Sequence, residues 1–326
     1  MFNNVTLNLR SKLILIATIP ALVMLYFAGT VVIERLSIVK EMITLESLAD
    51  VSVKIGALVH ELQKERGMST SFIGSKGSKF ASELPLQRVK TDKMLEMLQA
   101  RLNSFDPGSY RGELKTVLGV AMNNLGELSA KRNIISALGM EATQSIAYYS
   151  NTIHSLLDVP SQVSTLSSNS EISRLASSYS SLLKAKERAG IERGLLTMVF
   201  VSDQFTLDTQ SRFLKNLSAQ DVYTDLFFTY ALDSQKDFYN TKISGPAVVE
   251  VARIKKVAMD KGTESGLGID PVHWFKSVTE KIDLIKEVEN KLSDDLLNAA
   301  DKLKNNSQTM AIFFSVLTVL SVLATV

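Results

Sequence analysis

A heptad repeat over residues 278–303 constrains the fold of this chain more than any other feature of its sequence. Apolar side chains recur there at spacings of four and three, with one acidic residue, Glu289, in the series. This periodicity places a continuous stripe on one face of an α-helix. The stripe consists of Val278, Ile282, Ile285, Glu289, Leu292, Leu296, Ala299 and Leu303. We therefore predict a long helix from Pro271 to about Gln308, with Asp270 as its N-cap.

A second heptad repeat runs from Leu45 to Ile73 and ends at Gly74 and Gly77. Between the two repeats the spacing is helical, and no strand-like alternation extends over five residues. Only 6 prolines and 16 glycines interrupt 326 residues, which favours long helices. Further helices are predicted over about 80–103, 111–129, 134–157 (closed by Pro160), 209–232 and 247–261. Another helix begins within the serine-rich stretch 161–181 and runs to about Val201. The predicted fold is all-α, with two antiparallel four-helix bundles that share long helices, flanked by two transmembrane helices.

Two segments are apolar enough to suggest a membrane. Leu13–Ile33 has 21 residues without a charge, sufficient to span a bilayer, and 310–326 is a second apolar run. A cleavable signal peptide is the alternative for the first segment, but the run is long for that role and continues into a helical pattern. We expect a cytoplasmic N-terminus over 1–12, a transmembrane helix over 13–33, an extracytoplasmic region over 34–309, and a truncated second transmembrane helix over 310–326. This is the layout of a transmembrane receptor.

Composition argues against several other classes of protein. The net charge is +2 and no basic stripe is present, so we expect no nucleic acid among the partners. The absence of cysteine excludes thiol catalysis, cysteine metal sites and disulfides. His60, His154 and His273 lack the spacing of metal ligands, and no nucleophile–base pair is visible. We expect neither an enzyme nor a cofactor or metal site.

Three arginines occupy core-like positions of predicted helices: Arg66 in the first heptad seam, Arg193 in the stretch KERAGIERGLLTMVF, and Arg253 between two valines at i±4. Ser69 on the same seam as Arg66, and Arg188 on the helix of Arg193, are further candidates. A buried charge without compensation costs several kcal/mol. Two interpretations stay open: structural ion pairs, with Glu289 as a partner, or an anion site built on bidentate guanidinium hydrogen bonds.

Three stretches resemble the nitrate- and nitrite-sensing (NIT) domain family. They are HELQKERGMSTSFIGSKGSKFASELPLQRVKTD (60–92), KERAGIERGLLTMVF (186–200) and IDPVHWFKSVTEKIDLIKEVENKL (269–292), which contains Trp274. The resemblance implies an all-helical sensor of two four-helix bundles. It also implies that Arg66, Arg193 and Arg253 bind nitrate or nitrite between them.

The membrane-bracketed arrangement resembles that of NIT-containing methyl-accepting chemotaxis proteins. It implies a homodimeric, multi-pass chemoreceptor of the bacterial inner membrane, with residues 34–309 as its periplasmic sensor. The receptor would pass a helix displacement through the membrane to cytoplasmic signalling proteins, by way of a C-terminal region beyond Val326. Two alternatives remain. One is a sensor of another small anion coupled to a kinase or cyclase. The other is a ligand-free structural periplasmic protein, in which each arginine has a carboxylate partner and no polar cavity lies between the bundles.

Overall fold

The computed structural model describes residues 8–110 and 113–325, which are almost entirely helical. No β-strand occurs in these two ranges, so the all-α prediction is confirmed. The α-helices are α1 (Leu9–Gly74), α2 (Glu83–Leu102), α3 (Leu114–Gly126), α4 (Leu128–Ser136), α5 (Ala142–Leu166), α6 (Ser170–Ser202), α7 (Leu207–Tyr230), α8 (Asp233–Lys242), α9 (Pro246–Lys261) and α10 (Pro271–Thr325). A single 3-10 turn, Pro107–Ser109, follows α2 within the described ranges.

The chain divides into two compact units. One is Ser47–Leu297, and the other combines the described residues of 1–46 and 298–326. Two helical bundles make up the larger unit. In the first bundle, formed by the later part of α1 with α2–α5, Gln87 Nε2 of α2 donates a 2.7 Å hydrogen bond to Glu61 of α1.

The second bundle consists of α6–α9 and the part of α10 up to Leu297. Asn216 of α7 donates a 2.9 Å hydrogen bond to the carbonyl of Arg188 in α6, and Gln235 of α8 donates one of 2.9 Å to Asp295 of α10. Helix α6 also packs against α5 of the first bundle. It therefore lies at the junction of the two bundles, where a site can draw side chains from both.

The predicted heptad seams are the buried faces of α1 and α10 within this unit. Leu48, Ile55 and Leu62 are fully buried on α1, and Val278 and Leu292 are 1% exposed on α10. The heptad repeats therefore predicted the buried faces of these helices correctly. In a helical bundle, the residues that become buried are those on the stripe of each helix that faces its neighbours.

Several predicted boundaries are wrong. Pro160 does not end a helix, because α5 continues through it to Leu166 and the proline ring is buried. The predicted helix over 111–129 instead ends at Gly126, and α4 begins two residues later. The next turn contains Leu138 at φ 54°, a left-handed conformation in which a helix cannot continue. Helix α8, a polar segment of ten residues, has no counterpart in the prediction.

One described helix contains a stretch long and apolar enough to cross a membrane, and it lies within Thr18–Gly74. Only 11% of that stretch is buried. This is weak support for a span, because a signal sequence near an N-terminus meets the same criterion. No second candidate appears over the described residues, although α10 extends through the second predicted span to Thr325. Residues 1–7 of the predicted N-terminal segment, and Val326, lie outside the described residues.

Candidate anion-binding site

Arg66 is buried, at 3% exposure, on the face of α1 that the heptad repeat predicts. Its guanidinium forms a two-point ion pair with Glu187 of α6, at 2.6 Å from Nη1 to Oε1 and 3.3 Å from Nη2 to Oε2. Nη1 also donates a 2.8 Å hydrogen bond to Ser150 Oγ of α5. Arg66 thus joins three helices, and its carboxylate partner is Glu187 rather than the predicted Glu289.

Arg193 of α6 is more deeply buried than Arg66, at 1% exposure. Nη1 donates to Thr279 Oγ1 at 3.0 Å and Nη2 to the carbonyl of Gln63 at 2.7 Å, while the guanidinium lies 4.9 Å from the centre of the Phe275 ring. Nε has no hydrogen-bond partner, and no carboxylate of the described residues lies within 4.0 Å of Arg193. Burial, and then the charge of Arg66, lower the pKa of Arg193 to about 10. Arg193 is therefore a buried cation at neutral pH that forms no direct ion pair with the described carboxylates, although the charges of Asp283 and Glu187 raise its pKa.

Gln63 of α1 connects the two arginines. Its carbonyl accepts the Arg193 hydrogen bond, and its side-chain Nε2 donates a 2.8 Å hydrogen bond to Glu187 Oε2. The order of contacts is Arg66, Glu187, Gln63, Arg193. A change in the partner of Arg66 can therefore reach Arg193 through two hydrogen bonds.

A cavity of about 120 Å³ opens beside Arg66, between helices of both bundles. A water molecule occupies about 30 Å³ of liquid, so the cavity has room for a small polyatomic anion. Arg66 and Arg212 are its cations. The lining comprises Arg66, Gly67 and Thr70 of α1; Thr143 and Ile146 of α5; Gly190, Ile191, Gly194, Leu195 and Met198 of α6; and Arg212 of α7. Buried charge, hydroxyls and an apolar wall are the ingredients of a small-ligand site.

Arg253 does not lie with Arg66 and Arg193. Its side chain is 54% exposed and forms an ion pair of 2.7 Å with Glu250, one turn earlier on α9. The expectation of a core-like position is wrong, because the buried stripe of α9 passes through other residues than the valines at i±4. That stripe consists of Val251, Ile254 and Ala258.

The two remaining candidates also lie outside the cavity lining. Arg188 is half-buried, and its guanidinium lies 5.9 Å from the centre of the Tyr223 ring of α7. Ser69 is fully buried near Tyr149 in the first bundle, and its hydroxyl has no hydrogen-bond partner among the described residues.

Sequence reasoning missed Glu187, Gln63, Ser150 and Arg212. Glu187 had a recognisable signal, because it lies three residues before Gly190 and four after the buried Leu183, on the face of α6 that approaches α1. Its pairing with a residue 121 positions away is invisible in the sequence pattern.

Two further buried charge clusters hold the bundles together. In the first bundle, Glu65 is fully buried, accepts hydrogen bonds of 2.7 and 2.8 Å from Arg132, and accepts one of 2.7 Å from the Tyr149 hydroxyl. Burial and then the charge of Glu65 raise the pKa of Tyr149. Glu65 is therefore a partner of Arg132 and Tyr149 and not of Arg66.

The second cluster joins α6 to α10. Glu289, 1% exposed, forms ion pairs with both Lys186 and Lys286. Burial, opposed by the charge of Glu289 and reinforced by that of Lys286, lowers the pKa of Lys186 to about 8. Burial, and then the charge of Lys186, hold the pKa of His60 well below its usual range, so that its imidazole is neutral.

The sequence of this chain matches the profile of a known protein family. The profile of the family described as "Nitrate and nitrite sensing" (NIT) matches residues 57–297. A protein named nitrate regulatory protein, from Klebsiella oxytoca, is 27% identical over 258 residues, covering 79% of this chain and 64% of the relative. This chain therefore spans less than two thirds of that protein's length.

A solved structure, titled "Structure of the NasR transcription antiterminator", superposes with a TM-score of 0.75. It covers 87% of this chain and 82% of the other, at 23% identity. At that identity the likeness shows that the two proteins share the all-helical fold.

These relatives overturn the predicted transmembrane chemoreceptor. One is named as a nitrate regulatory protein and the other as a transcription antiterminator, so the prediction of a chemotaxis receptor is wrong. The multi-pass inner-membrane placement is also wrong, since it required two membrane spans and the described residues contain one candidate.

The same names bear on two expected absences. Both relatives are named as regulators, and neither name is that of an enzyme. An antiterminator among the relatives removes the basis for excluding nucleic acid from the partners. The homodimer and the cytoplasmic signalling partners stay predictions.

The family profile matches 57–297, which falls inside the predicted sensor region and contains the cavity, both central arginines and Trp274. The chain belongs to the nitrate- and nitrite-sensing (NIT) family.

Proposed function

We propose that this chain is a sensor that binds nitrate or nitrite in the cavity beside Arg66. The observation that carries the proposal is the buried Arg66 guanidinium, which lines a cavity at the junction of two bundles. A second buried guanidinium, Arg193, lies outside this lining, forms no ion pair among the described residues, and is close enough for the charge of Arg66 to lower its pKa. Two cations beside the single carboxylate that contacts Arg66 leave a net attraction for a small anion.

The chemistry of the lining suits a planar oxyanion. A guanidinium donates two parallel hydrogen bonds, which match two oxygens of nitrate or nitrite. Because Glu187 holds this face of Arg66, a bound anion shares the guanidinium with that carboxylate. Thr70 and Thr143 line the same cavity, where the Thr70 hydroxyl donates to the Arg66 carbonyl at 2.8 Å, and Ile146 and Leu195 contribute apolar wall. Apolar walls reduce the local screening of charge, which strengthens the pairing of the anion with Arg66.

Occupancy of this cavity acts on both bundles. Its lining comes from α1 and α5 of the first bundle and from α6 and α7 of the second. An anion that binds one packing of these helices better than another shifts the population toward that packing. We propose that this shift controls a regulatory output, a role favoured by the names of the nitrate regulatory protein and the antiterminator.

A ligand-free structural protein is the rival interpretation. It requires a carboxylate partner for each arginine and no polar cavity between the bundles. Arg66 and Arg253 have such partners, but Arg193 has none among the described residues, and the cavity beside Arg66 is open. Both observations count against the rival.

Isothermal titration calorimetry of the purified chain with nitrate and with nitrite tests the proposal. We expect saturable binding that Arg66→Gln weakens by at least about tenfold, since it removes a charge-assisted bidentate contact. Lys256→Gln removes an exposed positive charge away from the cavity and is the matched control. Absence of binding to the folded wild-type chain would falsify the proposal.

The same titration with Arg253→Gln decides the role of Arg253. The family resemblance predicts weaker binding, whereas the exposed position of this side chain in the structure predicts unchanged binding.

A further inference from the structure

Glu187 occupies the hydrogen-bonding face of Arg66 that an external anion needs. Its carboxylate is buried, with 8% of the side chain exposed, and both of its oxygens contact the guanidinium. A carboxylate and a nitrite ion each present two oxygens on one planar centre. The protein therefore carries an internal copy of the hydrogen-bonding pattern of its proposed ligand.

Glu187 is also a carboxylate that balances part of the charge of both arginines. Burial and then the charge of Arg66 lower the pKa of Arg193, and the charges of Asp283 and then Glu187 raise it. Gln63 holds the carboxylate in position with a 2.8 Å hydrogen bond to Oε2. The carboxylate is thus placed to serve Arg66 directly and Arg193 at longer range.

The formal charge at the cavity follows from these contacts. Arg66 and Arg193 contribute two positive charges, and Glu187 contributes one negative charge. Asp283 also acts on Arg193, but it is paired with Lys64 at 3.4 Å, so that pair adds nothing. Arg212 lines the cavity but is paired with Asp208 at 2.9 Å, so this pair adds nothing. The sum is +1, which a monoanion brings to zero.

A dianion at the same place leaves an excess negative charge in a poorly solvated site. An uncompensated buried charge of this kind is strongly unfavourable. Resting on the proposed function, we infer that Glu187 determines the specificity of the site, admitting monovalent oxyanions and rejecting divalent ones by holding the charge of the empty cavity at +1.

The charge of an anion and its shape can be tested separately at this site. Nitrate and sulfate are both small oxyanions, but they differ by one unit of charge. Glu187→Gln keeps the size of the side chain and raises the site to +2, whereas Glu187→Asp keeps the charge and shortens the reach toward Arg66. Only the first change alters the balance on which selection depends.

The test measures Kd for nitrate and for sulfate, at matched ionic strength, in the purified wild-type chain and three variants. We expect wild type to prefer nitrate and Glu187→Gln to shift the ratio of the two Kd values by at least about tenfold toward sulfate. Glu187→Asp should retain the wild-type ratio. Asp260→Asn, which removes an exposed carboxylate paired with Lys256, should retain it as well.

An unchanged ratio in folded Glu187→Gln, with wild type binding nitrate, overturns the inference and leaves the proposed function standing. A wild-type chain that binds neither nitrate nor nitrite instead defeats the proposed function itself. If Glu187→Gln unfolds without salt, thermal melts at increasing sulfate and nitrate replace the titration. If a cooperative transition returns at a lower concentration of sulfate than of nitrate, the inference is supported. If it returns at a lower concentration of nitrate, or with neither anion, the inference is contradicted.

Discussion

Gly190 of α6 lies so close to Arg66 that a Cβ at that position would be 2.9 Å from Arg66 Nη2. The missing side chain lets the guanidinium lie against the α6 backbone and reach Glu187 one turn earlier. Gly194, one turn later, lines the same cavity, but a Cβ there would meet nothing within 4 Å. The two glycines can therefore be compared directly. Gly190 is required for the close approach of Arg66, whereas Gly194 has open space around it.

Gly190→Ala is expected to displace the Arg66 guanidinium. Overpacking of this kind costs about 1–3 kcal/mol of unfolding free energy and exceeds the gain in helix propensity. The affinity for nitrate should fall together with the stability, because the Arg66 guanidinium is displaced from its position beside the cavity. Urea denaturation and calorimetric titration of the variant measure the two effects.

Gly194→Ala is the control for that substitution. With open space around the new methyl group, only the propensity gain remains, and the unfolding free energy should rise by roughly 0.5–1 kcal/mol. Equal stability of the two alanine variants would contradict the close approach of Arg66 to Gly190.

Arg212 is expected to assist the entry of the anion from the exposed edge of the cavity. It lines the cavity from α7, but 63% of its side chain is exposed and its charge is shared with Asp208. An exposed charge of this kind contributes little and is screened by salt. Arg212→Gln should weaken nitrate binding about two- to fivefold at low ionic strength and much less in high salt. A loss as large as that of Arg66→Gln, or one independent of salt, counts against this role.

Periodicity predicted the parts of this molecule that depend on local patterning. Arg66 and Glu289 are buried because they lie on heptad stripes whose other members are apolar. Partner choice was not predictable, since Glu187 and Glu289 are both buried acids and only tertiary packing assigns one to Arg66 and the other to Lys186. The prediction that Arg253 occupies a core-like position was wrong for a related reason. Apolar neighbours at i±4 indicate an apolar stripe, but they do not show which stripe of a short helix faces the core.

The buried Glu65 cluster should be a major contributor to the stability of the first bundle. Glu65→Gln leaves Arg132 with one carboxylate, Asp92, which is half exposed, and removes the charged acceptor of Tyr149. Breaking a buried ion pair from one side costs about 3–5 kcal/mol.

Chemical denaturation of that variant measures the loss, and Glu127→Gln serves as its control. Glu127 also pairs with a cation of the first bundle, Lys131 at 3.3 Å, but 62% of its side chain is exposed. Its substitution should change the unfolding free energy by less than about 0.5 kcal/mol. Similar losses in both variants would argue against a special role for the buried cluster.

Lys186 should make stability rise with pH in the alkaline range. Burial lowers its pKa to about 8 in the folded protein, from the ordinary lysine value of 10.5. Below about pH 8 both folded and unfolded chains hold this proton; above it, the folded chain loses the proton first. The unfolded chain then binds more protons, so the unfolding free energy increases with pH until both forms are neutral.

The arrangement of Lys286 explains why the folded protein can release that proton. When Lys186 is neutral, Lys286 still compensates Glu289, and one of two repelling ammonium groups is gone. Lys186→Met should remove a rise on the order of 2 kcal/mol between about pH 7.5 and pH 10, measured by urea denaturation across that range. Lys256→Met, at an exposed position of α9, should keep the wild-type slope. Parallel pH profiles for wild type and Lys186→Met would show that the buried lysine does not titrate in this window.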